Sequence, residues 1–475
     1  MLNKVIFFLF VLLIPTISFA SAGDAYAGEI LNLTSHPVGY IAIIVFVIAY
    51  LFVMAEEFTH LRKSKPVILA AGFIWLMIAF IYVQNDLPDA AAAAVRHNLL
   101  EFSELFLFLL VAMTYINAME ERQVFEALKS WLIQKGFGYR KLFWLTGILA
   151  FFISPIADNL TTALLMCAVL MAVGIKSPRF IGIGCINIVV AANAGGAFSP
   201  FGDITTLMVW QKGVVEFSTF FLLFIPAVVN FLVPAAIMHF AVPNETPVST
   251  AENTDMKRGA MIIIFLFLAT ITTAVSFHNF LHLPPVLGMM TGLAYLQIFG
   301  YYLKNTHLIK VNEVEKDTFA IGVAGDVHAF DVFKKISRAE WDTLLFFYGV
   351  ILSVGGLGFI GYLALVSEVM YVDWGATNAN IMVGILSAIV DNIPVMFAVL
   401  SMNPDMSQGQ WLLVTLTAGV GGSLLSVGSA AGVALMGQAK GHYTFFGHLK
   451  WMPVIALGYF ASIAVHLWVN DSLFT

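Results

Sequence analysis

Long apolar runs dominate the chain, and most are close to the length that a helix needs to cross a membrane. A spanning α-helix takes about 20 residues. The clear candidates are about 38–54, 67–84, 105–118, 217–241, 260–277, 284–303, 343–366 and 451–469. Two further apolar regions, 142–210 and 379–436, are interrupted repeatedly by Gly, Pro, Ser, Asn and Asp. The pattern predicts an all-α polytopic membrane protein in which these two regions are not simple spans.

Composition supports this fold class and narrows the chemistry. Apolar residues make up 60% of the 475 residues and charged residues 11%, against about 45–50% and about 25% in soluble domains. A net charge of −6 without a dense Lys/Arg block argues against a nucleic-acid partner. The two cysteines, Cys167 and Cys185, lie in apolar stretches, so we expect neither a disulfide framework nor a thiolate metal site. No enzyme or cofactor motif occurs, and we expect a protein that is not an enzyme and has no cofactor.

The N-terminus and the basic loops predict how the chain is inserted. Residues 1–22 have a basic start, an apolar run and small residues at the end, as in a cleavable signal peptide; the alternative is a first helix that is retained. Lys and Arg gather at 62–65, 122–141 and 304–338, whereas the loops near 85–98, 278–283 and 367–379 carry only Arg96. Basic loops face the cytoplasm. Residue 38 is therefore expected to start outside, which agrees with a cleaved signal peptide.

Three short patterns recur in the same order in the two halves of the chain. EFSELFLF at 101–108 is similar to EWDTLLFF at 340–347, and SPIADN at 154–159 is similar to SAIVDN at 387–392. NAGGAFSPFGD at 193–203 matches VGGSLLSVGS at 420–429 in its glycine spacing. The predicted orientation makes the first pair enter the membrane from opposite sides. Inverted-topology repeats with discontinuous helices are a signature of secondary transporters. We expect repeats at 23–242 and 259–475, joined by a linker at 243–258.

Each repeat is expected to contain a re-entrant hairpin with an Asp-Asn pair at its tip. Helix-breaking residues at membrane depth are tolerated where the freed backbone groups face protein or a watery cavity. Asn159 and Asn392 could be simple turn formers. Asp158 and Asp391 are harder to explain in that way, because a carboxylate at the centre of a bilayer costs about 2.5–3.5 kcal/mol and is functional by default.

Each repeat is also expected to contain a broken transmembrane helix. In the first, Asp203 lies at the break with Thr205 and Thr206, ten residues after Asn193. Asp203 could also cap a helix that starts at Ile204, and the two roles are compatible. The counterpart break offers the hydroxyls of Ser426 and Ser429 and no carboxylate. The two halves are therefore expected to be similar in shape and unequal in charge.

Four further acids stand near the starts of long helices. Glu101 and Glu340 are best explained as favourable partners of the helix dipole. Asp342 and Glu104 lie deeper along their helices, and for them a proton path and a dipole role are equally open.

The charges around the interrupted regions favour a cation as the cargo. Neither Asp-Asn tip has a Lys or Arg close to it in the sequence, since Lys176 and Arg179 of the first interrupted region lie well after Asp158. An anionic substrate would normally meet fixed positive charge or neutral donors. Carboxylates that lie close together in a low dielectric can exchange a proton for a metal ion near neutral pH. This predicts competition of Na⁺ and H⁺ for the same carboxylates during alternating access.

The stretches SPIADNLTT, NAGGAFSPFGDITT, WDTLLFF and SAIVDNIP resemble those of NhaD-type sodium/proton antiporters of the ion transporter superfamily. The similarity extends from about residue 101 to 436. It implies exchange of Na⁺ or Li⁺ for H⁺ in the bacterial inner membrane, with Na⁺ held at Asp158, Asp203 and Asp391. Because members of the superfamily often work as dimers, it also implies a homodimer.

We combine two groups of residues into one candidate set for the site: those that the resemblance implies and the polar neighbours of the two hairpin tips. The resemblance implies roles for Asp158, Asn193, Asp203, Thr205, Thr206, Asp342, Ser387, Asp391, Ser426 and Ser429. The polar neighbours of the tips add Asn159, Thr161, Thr162 and Asn392. Glu104 is added as a candidate for a proton path.

Three alternative functions stay open at this point. Arsenite efflux on the same fold would use thiols or neutral hydroxyls, for which two scattered cysteines offer little. Dicarboxylate uptake usually uses Ser-Asn-Thr at both tips, where this chain has Asp-Asn. An intramembrane aspartyl protease could use Asp203 in its Phe-Gly-Asp context, but a protease has no need of an inverted repeat.

Overall fold

A computed structural model describes residues 30–174, 177–246, 254–317 and 331–474. The predicted signal peptide at 1–22 and residues 247–253 of the predicted linker lie outside the described residues. Within the described ranges all regular secondary structure is helical. Ten segments there are long and apolar enough to cross a membrane, so the expectation of an all-helical, multi-pass membrane protein is confirmed.

The first part of the chain forms long helices joined by short turns. They are α1 (Pro37–Met54), α2 (Ser64–Gln84), α3 (Pro88–Glu121) and α4 (Val124–Gln134), with a single helical turn at Glu56–Thr59 between α1 and α2. The first interrupted region follows as α5 (Tyr139–Ala157), α6 (Asn159–Gly174), α7 (Pro178–Gly196) and α8 (Ile204–Gln211). A 3-10 segment (Phe217–Leu223) then leads into α9 (Phe224–His239).

The second part has a similar succession of helices. It contains α10 (Ala260–Leu281), α11 (Pro285–Asp317), α12 (Val332–Ser337), α13 (Trp341–Phe359) and α14 (Tyr362–Ser367), the last followed by a π-helical turn at Glu368–Asp373. The second interrupted region forms α15 (Ala376–Ser387), α16 (Asn392–Met402), α17 (Gln408–Gly421) and α18 (Ala430–Gln438). The chain ends with α19 (Phe445–Leu449), α20 (Met452–Val469) and a 3-10 turn at Asp471–Leu473.

One predicted loop and one predicted span differ from the observed helices. The predicted loop near 85–98 is wrong, because α3 already begins at Pro88 and runs for 34 residues. Its first turns are Ala-rich, which favours a helix without producing a strongly apolar pattern. The predicted span 343–366 is two helices, because Gly361 has a φ of 104° and separates α13 from α14.

The interrupted regions occupy the interior of the protein. Helix α7 packs against α5 and α6, α17 packs against α15 and α16, and α7 and α17 also contact each other. Nearly every residue of α7 is buried, as are the residues of α17 from Trp411 to Gly421. Outside this centre, α2 packs on α13, α10 on α11 and α9 on α20. The breaks between the short helices are therefore brought together at the middle of the structure.

Local sequence explains where two of these breaks fall. Pro155 lies in the last turn of α5, and Asp158 directly after this helix has a φ of 58°. A positive φ is uncommon for residues other than glycine, although Asp adopts it more readily than most. The other break follows α7, where Gly202 lies so close to Pro155 and the Ser154 carbonyl that a Cβ atom would come within 2.8 Å of them. Such constrained backbone is found preferentially at functional sites.

Candidate functional site

The four breaks surround one cavity, with about 130 Å³ of room for water-sized groups. Its polar lining comprises Lys63, Asn117, Asp158, Asn159, Thr161, Asn193, Asp203, Arg338, Glu340, Thr343, Asp391, Asn392 and Ser429. Residues of both Asp-Asn tips and of both broken helices therefore face the same space. The cavity is the candidate ion site.

Asp203 is the most deeply buried of the three aspartates, with 5% of its surface exposed. Its Oδ1 accepts hydrogen bonds from the Thr205 backbone N–H (2.9 Å) and the Thr205 hydroxyl (2.8 Å), so it caps α8. Its Oδ2 accepts a hydrogen bond from Asn159 Nδ2 (2.7 Å). The Asn392 amide, from the other half of the chain, lies 3.4 and 3.5 Å from the two carboxylate oxygens. Both tip asparagines thus converge on one carboxylate.

The position of Asn159 is fixed by its surroundings. The Ser154 hydroxyl lies 2.5 Å from Asn159 Oδ1 and 2.7 Å from the carbonyl of Ala192 in α7. Gly196 has no side chain, which leaves the space that the Asn159 amide fills. With its oxygen engaged by Ser154, the amide group presents its nitrogen to Asp203.

The two tip aspartates cap the helices that follow them. Asp158 accepts hydrogen bonds from the Thr161 backbone N–H (2.8 Å) and hydroxyl (2.9 Å) at the start of α6. Asp391 caps α16 through the Ile393 backbone N–H (3.4 Å). Both are only partly buried, so they lie nearer to solvent than Asp203. Carboxylates at helix N-termini are stabilised by the helix dipole.

Asn193 connects the first half of the chain to the second. Its amide nitrogen lies 2.9 Å from the Ser423 hydroxyl and 3.1 Å from the Ser429 hydroxyl. Its buried Oδ1 has no hydrogen-bond partner among the described residues. A buried amide oxygen without a partner is a suitable ligand for a hard cation.

Several predicted site residues lie elsewhere. Asp342 accepts a hydrogen bond from Ser64 (2.5 Å) and does not line the cavity. Ser387 donates to the Ala418 carbonyl (2.8 Å), and the Thr206 hydroxyl lies 3.4 Å from the Ala197 carbonyl. The hydroxyls of Thr162 and Ser426 are buried, have no partner among the described residues, and do not reach the cavity.

Glu104 lies in a second, separate pocket with Glu101, Gln211 and Lys212, where Lys212 forms an ion pair with Glu101 (2.5 Å). This pocket lies at the ends of α8 and α16 that are remote from their capping aspartates. A proton path through Glu104 stays a prediction.

Two cations at the cavity were not expected from the sequence. Lys63 and Arg338 both line it, although no Lys or Arg lies close to either Asp-Asn tip in the sequence. In the sequence, Lys63 and Arg338 contribute to the positive-inside pattern. That pattern predicts on which side of the membrane a loop lies, but it does not predict which residues the side chains of the loop contact. Four carboxyl groups, those of Asp158, Asp203, Glu340 and Asp391, still exceed the two cations, so the lining keeps an acidic excess.

The cavity lining offers carboxylate, amide and hydroxyl oxygens together. Among the described residues no group of three or more His, Cys, Asp or Glu is close enough to hold a metal ion together. The predicted aspartates share a cavity without forming one carboxylate cluster. Amide, hydroxyl and backbone oxygens would complete the coordination of a hard cation.

Comparison with known proteins agrees with this architecture. Residues 50–419 match the model of the CitMHS family, described as citrate transporter, which places the chain among membrane transporters and not among enzymes. The chain is 63% identical over 450 residues to a Na(+)/H(+) antiporter NhaD from Alkalimonas amylolytica, covering 94% of this chain and 93% of the relative. It is 61% identical to an NhaD from Vibrio cholerae, with 98% of both chains covered.

A more distant relative is sodium/proton antiporter 1 from Arabidopsis thaliana, with 31% identity over 90% of this chain and 72% of the relative. The chain belongs to the NhaD-type sodium/proton antiporter family, as its motifs indicated.

Proposed function

We propose that this protein exchanges Na⁺ or Li⁺ for H⁺ across the bacterial inner membrane, by competition of the cation and the proton for carboxylates of the central cavity. The observation that carries the proposal is the meeting of four helix breaks around an acidic cavity, with one aspartate buried at its centre. The names of the relatives, sodium/proton antiporters over nearly the whole chain, support the same choice of ions.

The order of the helices supports two inverted repeats, at 23–242 and 259–475. A long helix (α3 or α13) precedes a helix pair with a break at Asp-Asn (α5–α6 or α15–α16), then a broken pair (α7–α8 or α17–α18), then a terminal span (α9 or α20). The equivalent serines Ser154 and Ser387 donate to the equivalent carbonyls of Ala192 and Ala418, at 2.7 and 2.8 Å. We infer that α5–α6 and α15–α16 are the re-entrant hairpins, entering from opposite sides.

The mechanism assigns the buried carboxylate the central role. Asp203 accepts hydrogen bonds from the two tip amides and Thr205, and a cation that binds Asp203 replaces amide N–H groups as its partner. A proton neutralises the same carboxylate, so one species must leave before the other binds. Asp158 and Asp391, which are less buried, guide the cation between solvent and Asp203. Rocking of the repeats then presents the site to the two sides in turn.

Cation-induced dequenching of a pH-sensitive dye tests the proposal in everted membrane vesicles from a strain without its own antiporters. Wild type is compared with Asp158→Asn, Asp203→Asn and Asp391→Asn, and with Asp89→Asn as the control, since Asp89 is exposed in the first turn of α3. We expect Na⁺ and Li⁺ to collapse the proton gradient with wild type and Asp89→Asn, and the three site variants to be inert at normal expression. Competition predicts that the apparent affinity for Na⁺ falls as the pH falls.

A wild-type protein without any cation response between neutral and alkaline pH would contradict the proposal. The alternative that the family description and the cavity cations Lys63 and Arg338 favour is citrate uptake. It is tested in the same vesicles with labelled citrate, whose accumulation would assign the cavity to an anion.

A further inference from the structure

Lys63 places a positive charge at the second hairpin tip from an element outside both interrupted regions. It directly precedes α2, and its Nζ lies 3.6 Å from Asp391 Oδ2. Each of the two side chains is 18% exposed. The ammonium also lies over the ring of Phe346 in α13, 4.6 Å from its centroid. A partly desolvated ammonium held between a carboxylate and an aromatic ring is stabilised by both.

The backbone next to Lys63 is anchored to α13. Ser64, the first residue of α2, donates a hydrogen bond of 2.5 Å to Asp342 Oδ1, and α2 packs along α13. This contact explains what Asp342 does in the structure: it fixes the start of α2, and with it the origin of the Lys63 side chain. Because Phe346 lies one turn after Asp342 on the same helix, the ammonium is directed toward the cavity.

The other charged groups near Lys63 are mostly acidic. Desolvation raises the pKa of Glu56, while Lys63 beside it lowers that pKa and Asp342 raises it. Glu340 and Arg338 face the same cavity as Lys63, and Arg62 precedes it in the chain. Asp391 is the carboxylate with which Lys63 forms an ion pair. The carboxylates around Lys63 therefore favour a cationic side chain at this position.

We infer that Lys63 is a built-in counter-cation of the transport site, which an incoming Na⁺ must displace from Asp391. The inference rests on the proposed function. The ammonium and Na⁺ are both monovalent cations, so they compete for the same carboxylate, that of Asp391. Through this competition Lys63 weakens Na⁺ binding and speeds Na⁺ release. It is a specificity-determining residue, because a cation enters only if it replaces the ammonium at Asp391.

The test separates binding from turnover in three variants. Lys63→Gln removes the charge at nearly constant length, Lys63→Arg keeps the charge, and Lys65→Gln is the matched control, since Lys65 is exposed and does not line the cavity. Initial rates of exchange in everted vesicles are measured against Na⁺ concentration at one fixed pH. We expect Lys63→Gln to lower the apparent KM for Na⁺ about fivefold, the size of a partly exposed ion pair, and to lower the maximal rate as Na⁺ leaves more slowly.

Lys63→Arg should keep the wild-type KM within about twofold, because a guanidinium restores the competing charge. An apparent KM of Lys63→Gln that equals that of Lys65→Gln, or exceeds that of wild type, would overturn the inference. Since KM does not depend on the amount of active protein, reduced expression does not confuse the result.

If Lys63→Gln is inactive in vesicles, Na⁺ binding is measured on the purified protein instead. Its unfolding temperature is then followed against added NaCl, with choline chloride at equal ionic strength as the reference. Half-maximal stabilisation at a lower Na⁺ concentration than in wild type supports the inference, and an unchanged or higher concentration rejects it. Wild-type protein that shows no cation exchange would instead reject the proposed function on which the inference rests.

Discussion

The two interrupted regions of the molecule share the same hydrogen bonds and helix caps, but the capping side chains differ in charge. In each, a serine near the end of the first helix of the hairpin donates to an alanine carbonyl of the neighbouring buried helix, Ser154 to Ala192 and Ser387 to Ala418. In each, a polar side chain caps the helix that follows the second break. That cap is the Asp203 carboxylate in the first region and the Ser429 hydroxyl in the second.

This difference decides where the polar groups of the cavity point. Asn159 and Asn392 both turn toward Asp203, while Asn193 reaches across to Ser429. The two similar backbone arrangements therefore supply one anionic position, at Asp203, and one neutral position, at Ser429. Similar backbone geometry in the two regions builds the cavity, and the carboxylate of Asp203, which has no counterpart at Ser429, makes the two breaks unequal in charge.

The largest expected effect is the difference in exchange activity between variants of the two helix caps, Asp203 and Ser429. Asp203→Asn removes the buried charge, and we expect exchange to fall more than about 100-fold, since the carboxylate for which the cation and the proton are proposed to compete is lost. Ser429→Ala removes only a hydroxyl near Asn193, and a loss of no more than a few-fold is expected. Dye dequenching at equal protein level measures both. Equal losses in the two variants would show that the regions are equivalent in function.

A smaller effect should distinguish the two tip asparagines. Asn159→Ala deletes a hydrogen bond of 2.7 Å to Asp203, whereas Asn392→Ala deletes contacts of 3.4 and 3.5 Å. Hydrogen bonds to charged groups contribute about 1.5–3 kcal/mol and weaken with distance. We expect the apparent KM for Na⁺ to change about tenfold or more in the first variant and less in the second. The reverse order would mean that the tips exchange roles during transport.

The smallest difference concerns the paired serines. Ser154→Ala and Ser387→Ala each remove one buried hydrogen bond to a carbonyl, which should lower the free energy of unfolding by about 1 kcal/mol in both. Only Ser154 also contacts a tip asparagine, so Ser154→Ala alone should alter the KM for Na⁺. Thermal unfolding of the purified variants measures the first effect and vesicle assays the second. A KM change of equal size in Ser387→Ala would contradict this assignment.

Much of this architecture could be predicted from the sequence because its signals are local. Apolar runs predicted the spans, and Asp, Asn and Pro within such runs predicted the breaks near 158, 203 and 391. The recurrence of these patterns predicted that the three aspartates would share one region, and all three line one cavity.

What the sequence could not provide were contacts between distant segments. Lys63 precedes a span far from Asp391 in the chain, and no local pattern connects the two. The depth of Asp342 in its helix leaves a proton path open, but in the structure this side chain binds Ser64. The early start of α3 was missed because alanines extend a helix without adding a strongly apolar signal.

The placement of the two cysteines has a practical consequence for following the motion of this protein. Cys167 and Cys185 are both fully buried, with their sulfur atoms 3.8 Å apart, and the chain contains no other cysteine. A bulky maleimide applied from the aqueous phase therefore meets no exposed native thiol. Single cysteines introduced at exposed positions such as Lys65 or Glu216 would report, by their labelling rate with and without sodium, which face of the protein opens.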